Sequence, residues 1–126
     1  MLWTSWFGIG AMFSGLAVAL GAFAAHGLKS RLSAYSLDVF ETAVKYQMYH
    51  ALALLALGLL ASRIETTGVK VAGYSFTLGI LIFSGSLYTL SLTGIKWLGA
   101  ITPIGGVAFL VGWISLTITC FKLPGS

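Results

Sequence analysis

Charge is what this sequence has least of. Asp38, Glu41 and Glu65 are its only acids, and seven Lys and Arg complete a charged content of 8%. An ordinary soluble domain carries about 25%, so these side chains are too few to coat a water-exposed surface. Three scattered acids form no paired-carboxylate constellation for acid–base catalysis. The formal charge of +4 comes from isolated cations. No Lys/Arg run exists, so no nucleic-acid partner is expected. The single cysteine, Cys120, excludes an intrachain disulfide and sits in an apolar stretch as a small filler.

Catalytic signatures are missing too. There is no nucleophile elbow, no phosphate loop and no HExxH pattern. Gly8-Ile9-Gly10 lies inside an apolar run with no strand before it, so it is not a dinucleotide fingerprint. The chain is not expected to be an enzyme, and no cofactor is expected.

Apolar residues fill the space left by charge, at 58%. A helix needs about 20 mostly apolar residues to cross a hydrocarbon core of about 30 Å. Four segments qualify, over about 3–25, 43–62, 71–93 and 98–121. These runs are too long and continuous for the alternating, roughly 10-residue strands of a membrane barrel. The expected fold is all-α: a polytopic membrane protein forming one four-transmembrane-helix bundle over 1–126. Ala22-Phe23-Ala24 fits a signal-peptide cleavage site. However, no basic residue precedes the run, and the run is longer than a usual signal core, so it is read as a span.

The first span sorts by size on a helical wheel. Ile9, Met12, Phe13, Leu16, Leu20 and Phe23 form a bulky arc expected to face lipid. Gly8, Ala11, Gly15, Ala19 and Ala22 form a small arc, with Gly10, Ser14, Ala17, Gly21 and Ala24 beside it. Small residues let backbones approach closely in lipid, so the small side is expected to hold neighbouring helices. Gly79, Gly85, Gly105, Gly106 and Gly112 are expected to do the same on the third and fourth spans.

The second span is different. Its apolar run from Ala51 is too short to cross, so Lys45, Gln47 and His50 are drawn towards the membrane. A helix from about Leu37 to Ser62, capped by Ser36 or Asp38, would be about 39 Å long and would project from the bilayer. Thr102-Pro103 reads as N-cap and first position of the fourth helix. Trp3, Trp6, Trp97 and Trp113 read as interface markers or, for the last, as lipid contact.

Polar groups gather towards the end that holds the first and third connections. The candidate pocket comprises His26, Glu41, Lys45, Gln47, His50, Ser84, Ser86, Tyr88 and Thr102. Ionisable groups at membrane depth raise a functional hypothesis. His50 could relay protons, the two histidines could ligate a metal, or the cluster could be interhelical hydrogen-bonding glue. Two histidines without cysteines or tight spacing signal a metal only weakly, and no metal site is assigned.

The pocket end carries Lys29, Arg31, Lys45 and Lys96, against Arg63, Lys70, Lys122 and the amino terminus at the other end. Two cations follow the first span closely and none precedes it. That places the pocket end in the cytoplasm and both termini outside.

Nearly the whole chain resembles a known family of small membrane proteins, domain of unknown function 423, also termed uncharacterised protein family 0382. The resemblance rests on Gly21-Ala22-Phe23 with His26-Gly27-Leu28, and on Phe40-Glu41-Thr42-Ala43 running into Tyr46-Gln47 and His50-Ala51-Leu52-Ala53. It continues through Phe83-Ser84-Gly85-Ser86-Leu87-Tyr88, Thr93-Gly94, Ile101-Thr102-Pro103-Ile104-Gly105-Gly106 and Gly112-Trp113. It implies a bacterial inner-membrane protein of about four spans and implies no activity. Two roles remain open. One is a small binding or accessory component that packs with itself or with a larger membrane complex. The other is a small oligomeric transporter or channel using polar groups around His26 and His50. A small-residue stripe facing lipid would favour the first, and an inward wet cavity at His50 the second.

Overall fold

A computed structural model of the chain describes residues 2–123. Among these residues four helices are long and apolar enough to cross a membrane: Trp3–Leu28, Ala34–Ala61, Thr67–Thr93 and Lys96–Lys122. No strand occurs among them. The first and fourth helices are more open than the second and third. The second and third form the centre, with the first packed on the second and the fourth on the third.

Helix ends differ from the sequence expectation where polar residues extend an apolar run. The second helix starts at Ala34, capped by Ser33, whose Oγ accepts the Ser36 N–H at 3.1 Å. Neither Ser36 nor Asp38 is the cap. Ser33 has the extended backbone that an N-cap needs, and it comes first. The helix is therefore about 42 Å long. The fourth helix proper begins at Thr102 with Ile101 as its cap, one residue before the expected position, after a 3₁₀ turn at Lys96–Ala100. Pro103 still falls in the first turn, where its missing N–H leaves no bond unmade. Gly94 closes the third helix with φ of 71°, a conformation that strains any residue with a Cβ.

Two helices contain a wide π-turn, Ala24–Leu28 in the first and Ile80–Ser84 in the third. The second of these lies against the fourth helix at Gly105. A Cβ on Gly105 would collide with the Phe83 backbone nitrogen and Cα. A Cβ on Gly79 would strike the Phe109 ring, and one on Gly112 would lie 2.6 Å from the Phe76 ring. These three glycines lie at close contacts between the third and fourth helices. Gly21 meets only Val44, at an ordinary 3.4 Å, Gly106 lies at the edge of Phe83, and Gly85 meets nothing.

The first helix corrects the expected facing. Gly8, Ala11, Gly15, Ala19 and Ala22 are exposed, and a Cβ on Gly8 or Gly15 would meet nothing within 4 Å. The adjacent row is the buried one: Trp6, Gly10, Phe13, Ala17 and Ala24. A Cβ on Gly10 would sit 2.7 Å from the Ala51 carbonyl oxygen, and one on Gly58 would sit 2.9 Å from the Phe7 nitrogen. Those two glycines set the first two helices backbone to backbone. Trp6 is not an interface marker. It is 1% exposed, its ring fills the notch at Gly73, and it meets Tyr74 edge-on at 5.0 Å. Phe13 is likewise buried, whereas Met12, Leu16 and Phe23 face outwards as expected.

Candidate functional site

The candidate residues divide into a buried set and an exposed set. Gln47, His50, Ser84 and Ser86 are buried, and Tyr88 and Thr102 are half-buried. His26, Glu41 and Lys45 are exposed. His26 shares the wheel face of Gly8, Gly15 and Ala19, and it faces outwards because that face does. The structure therefore does not bring His26 together with His50.

The buried set joins all four helices. Gln47 donates from Nε2 to the Phe13 carbonyl oxygen at 2.8 Å, and its Oε1 accepts from the Tyr88 hydroxyl at 2.7 Å. One side chain of the second helix thus ties the first to the third. Ser84, at the end of the π-turn, donates to the Ala43 carbonyl oxygen at 2.7 Å. Ser86 and Thr102 share a hydroxyl–hydroxyl bond of 2.6 Å between the third and fourth helices.

His50 completes the set. Its Nδ1 lies 2.8 Å from the Tyr46 carbonyl oxygen, one turn back on its own helix. Its Nε2 accepts the Trp113 indole N–H at 3.1 Å. These partners require the neutral tautomer with hydrogen on Nδ1, since a carbonyl accepts and an indole N–H only donates. The ring stacks on Phe109 at 3.6 Å and 9°, with Phe76 at 5.5 Å. Gly79 makes the space that Phe109 occupies and Gly112 the space for Phe76. Small residues on two helices thereby place aromatic walls around one imidazole. An apolar groove of about 480 Å³ opens outwards between the second and fourth helices, with Tyr46, Phe83, Phe109 and Trp113 in its lining and His50 among them.

Among the described residues, no fully buried side-chain nitrogen or oxygen lacks a hydrogen-bond partner. Several other hydroxyls fold back on their own helix. Ser14, Thr77, Thr89 and Thr117 each donate to the carbonyl four residues earlier. No group of three or more His, Cys, Asp or Glu that could hold a metal occurs among the described residues. Chemically, the buried set binds helix to helix, and each of its fully buried polar atoms already has a partner within the protein. Tyr88→Phe tests this. It should lower stability by about 0.6 kcal/mol, and by no more than about 1.7, read from an SDS unfolding titration.

The sequence points Gln47, His50, Ser84 and Tyr88 inwards but does not show two of their partners. By its apolar surroundings Trp113 reads as a lipid contact. It is 44% exposed, yet its indole nitrogen turns inwards to His50. The Phe13 carbonyl carries no sequence signal at all.

Comparison with known proteins agrees with this architecture. The family model described as "Protein of unknown function (DUF423)" matches residues 20–106. A UPF0382 membrane protein of Staphylococcus aureus is 52% identical over 119 residues, covering 93% of this chain and 95% of its own. The UPF0382 membrane protein YwdK of Bacillus subtilis is 49% identical over 115 residues, covering 90% of this chain and 94% of its own. No solved structure matches the chain. By sequence the chain belongs to the DUF423 (UPF0382) family of membrane proteins of unknown function, and its four membrane-length helices agree with that.

Proposed function

We propose that this protein is a non-catalytic accessory component of the bacterial plasma membrane that packs through its first helix with itself. The observation that carries this reading is the outward small-residue row of Gly8, Ala11, Gly15, Ala19 and Ala22. Inside the chain those residues touch little. In lipid, association depends on close van der Waals contact, and rows of small residues permit it. His26, exposed and on the same face, would stand at one end of the seam.

The transporter reading is less well supported. It calls for an inward wet cavity at His50, whereas the groove there opens outwards and is lined mainly by aromatic and aliphatic side chains. Both ring nitrogens of His50 already have partners. The cation distribution supports termini outside the cytoplasm.

Disulfide crosslinking tests the proposal. In a Cys120→Ser background, Ala11→Cys or Gly15→Cys should give a crosslinked pair of chains in native membranes. Ile118→Cys, exposed on the fourth helix, should give far less. Equal crosslinking from both helices, or none from the first, would sink self-association. Crosslinks from Gly15→Cys to a different, larger protein would transfer the same face to a membrane complex.

A further inference from the structure

A second polar site lies at the opposite end of the bundle from Ser86 and Thr102. There a cavity of about 300 Å³ opens between the start of the first helix and the turn joining the second to the third. Leu2, Trp3, Ala61, Ile64 and Val69 give it apolar walls. Trp6, Glu65, Thr66 and Lys70 supply its polar groups.

Three of those groups are donors. Trp6 is 1% exposed, yet no acceptor in the described chain meets its indole N–H. Since no fully buried nitrogen is left unpaired, the little surface that Trp6 keeps includes this nitrogen. Thr66 caps the third helix, and its Oγ1 accepts the Val69 N–H at 3.3 Å. Its own proton has no acceptor in the described chain. Lys70 adds an ammonium, and the N-terminal end of a helix dipole favours negative charge. Glu65 is the single acid, and it can accept from a cation.

We infer that this cavity holds an amine-bearing phosphate ester, as presented by an aminophospholipid headgroup. The phosphate meets the Lys70 ammonium, the Trp6 N–H and the Thr66 hydroxyl. The amine meets the Glu65 carboxylate. Cations alone would suit any anionic headgroup. The acid beside them selects a zwitterion that can donate hydrogen bonds at its amine. Trp3, exposed at the rim, suits the headgroup level of a bilayer. The volume fits a headgroup and sits at the small end of ligand pockets, about 300–1,000 Å³. Headgroup binding at this end does not depend on self-association through the first helix.

The test is native mass spectrometry of the full-length protein in detergent. Phosphatidylethanolamine, phosphatidylcholine and phosphatidylglycerol are titrated separately. One phosphatidylethanolamine per chain is expected, bound about tenfold more tightly than phosphatidylcholine, whose quaternary amine cannot donate; one charged hydrogen bond accounts for such a factor. Glu65→Gln should abolish that preference. Lys70→Gln should weaken both lipids about tenfold, and Trp6→Phe should weaken both while keeping the ring. If Trp6→Phe fails to accumulate, the two exposed charge variants decide. Free phosphoethanolamine that displaces the lipid would assign the site to a soluble ligand of the same chemistry, and no displacement assigns it to the bilayer. Equal adducts of all three lipids, unchanged by the variants, would overturn the inference, as would tightest binding of phosphatidylglycerol.

Discussion

Gly10→Leu should remove the folded protein from the membrane, whereas Gly15→Leu on the same helix should leave each chain intact. A Cβ at Gly10 would stand 2.7 Å from the Ala51 carbonyl oxygen and 2.9 Å from the Leu55 nitrogen. Both atoms are backbone of the second helix, so no side chain can swing aside. The two helices must separate along their shared face, and Gly58, which faces the backbone of Trp3 and Phe7, loses its contact as well. Overpacking a tight core costs about 1–3 kcal/mol and sometimes more. A backbone collision at the main seam of a small bundle belongs at or above the top of that range. At Gly15 a Cβ meets nothing within 4 Å, and leucine is the better helix former by somewhat under about 1 kcal/mol. The chain should therefore unfold no more easily than the parent. What Gly15→Leu should change is the crosslinking of Ala11→Cys, which it should abolish by holding the seam apart. Abundance and SDS unfolding read the first effect, and crosslinking reads the second. If Gly15→Leu unfolds the protein as Gly10→Leu does, then Gly15 does not face outwards and the seam is not free.

That facing is also the point at which the sequence was least legible. The four spans could be read directly, because in a chain with 8% charge a 20-residue apolar run is almost always a membrane helix. The size sorting of the first helix could be read too, but not which of its two small rows turns inwards. In water, a polar face marks the outside. In lipid, both faces are apolar, since lipid tails resemble Leu, and bulk alone does not separate a knob from a lipid contact. Trp6 and Phe13 turn inwards because Gly73 and the second helix offer them room, which only the tertiary arrangement provides. His26 goes with the exposed small row, so a rotation of the expected inward face by about one row accounts for both departures. The π-turns had no periodic signature of their own. The inward polar groups were legible because burying Gln47 or His50 without partners is costly, which restricts them to packing faces. Their partners were less so. Serine and tyrosine side chains can be guessed, but the Phe13 carbonyl and the indole of Trp113 depend on where the neighbouring helices lie.

His50→Ala should be the most damaging single change in the polar set, and its effect should be structural. The alanine removes an imidazole stacked at 3.6 Å on Phe109 and leaves a gap that Phe76, Phe109 and Trp113 fill only in part. Large-to-small changes in a core cost about 2–5 kcal/mol. The Trp113 N–H is also left without its acceptor. Trp113→Phe removes only the donor and part of a ring that is 44% exposed, so it should cost much less. The His50–Trp113 hydrogen bond itself, isolated by a double-mutant cycle, should come to about 0.6 kcal/mol and at most about 1.7. Unfolding titrations of the two single variants and the double variant supply the cycle. Two readings of His50 then separate. If the imidazole is interhelical glue, any loss of cellular function in His50→Ala follows the loss of folded protein, and a stabilising change elsewhere restores both. If the ring carries protons or a ligand, a well-folded variant such as His50→Gln, able to meet both the Tyr46 carbonyl and the Trp113 N–H, stays abundant and still fails. Restored stability with persistent failure would return His50 to the functional site and count against the accessory role.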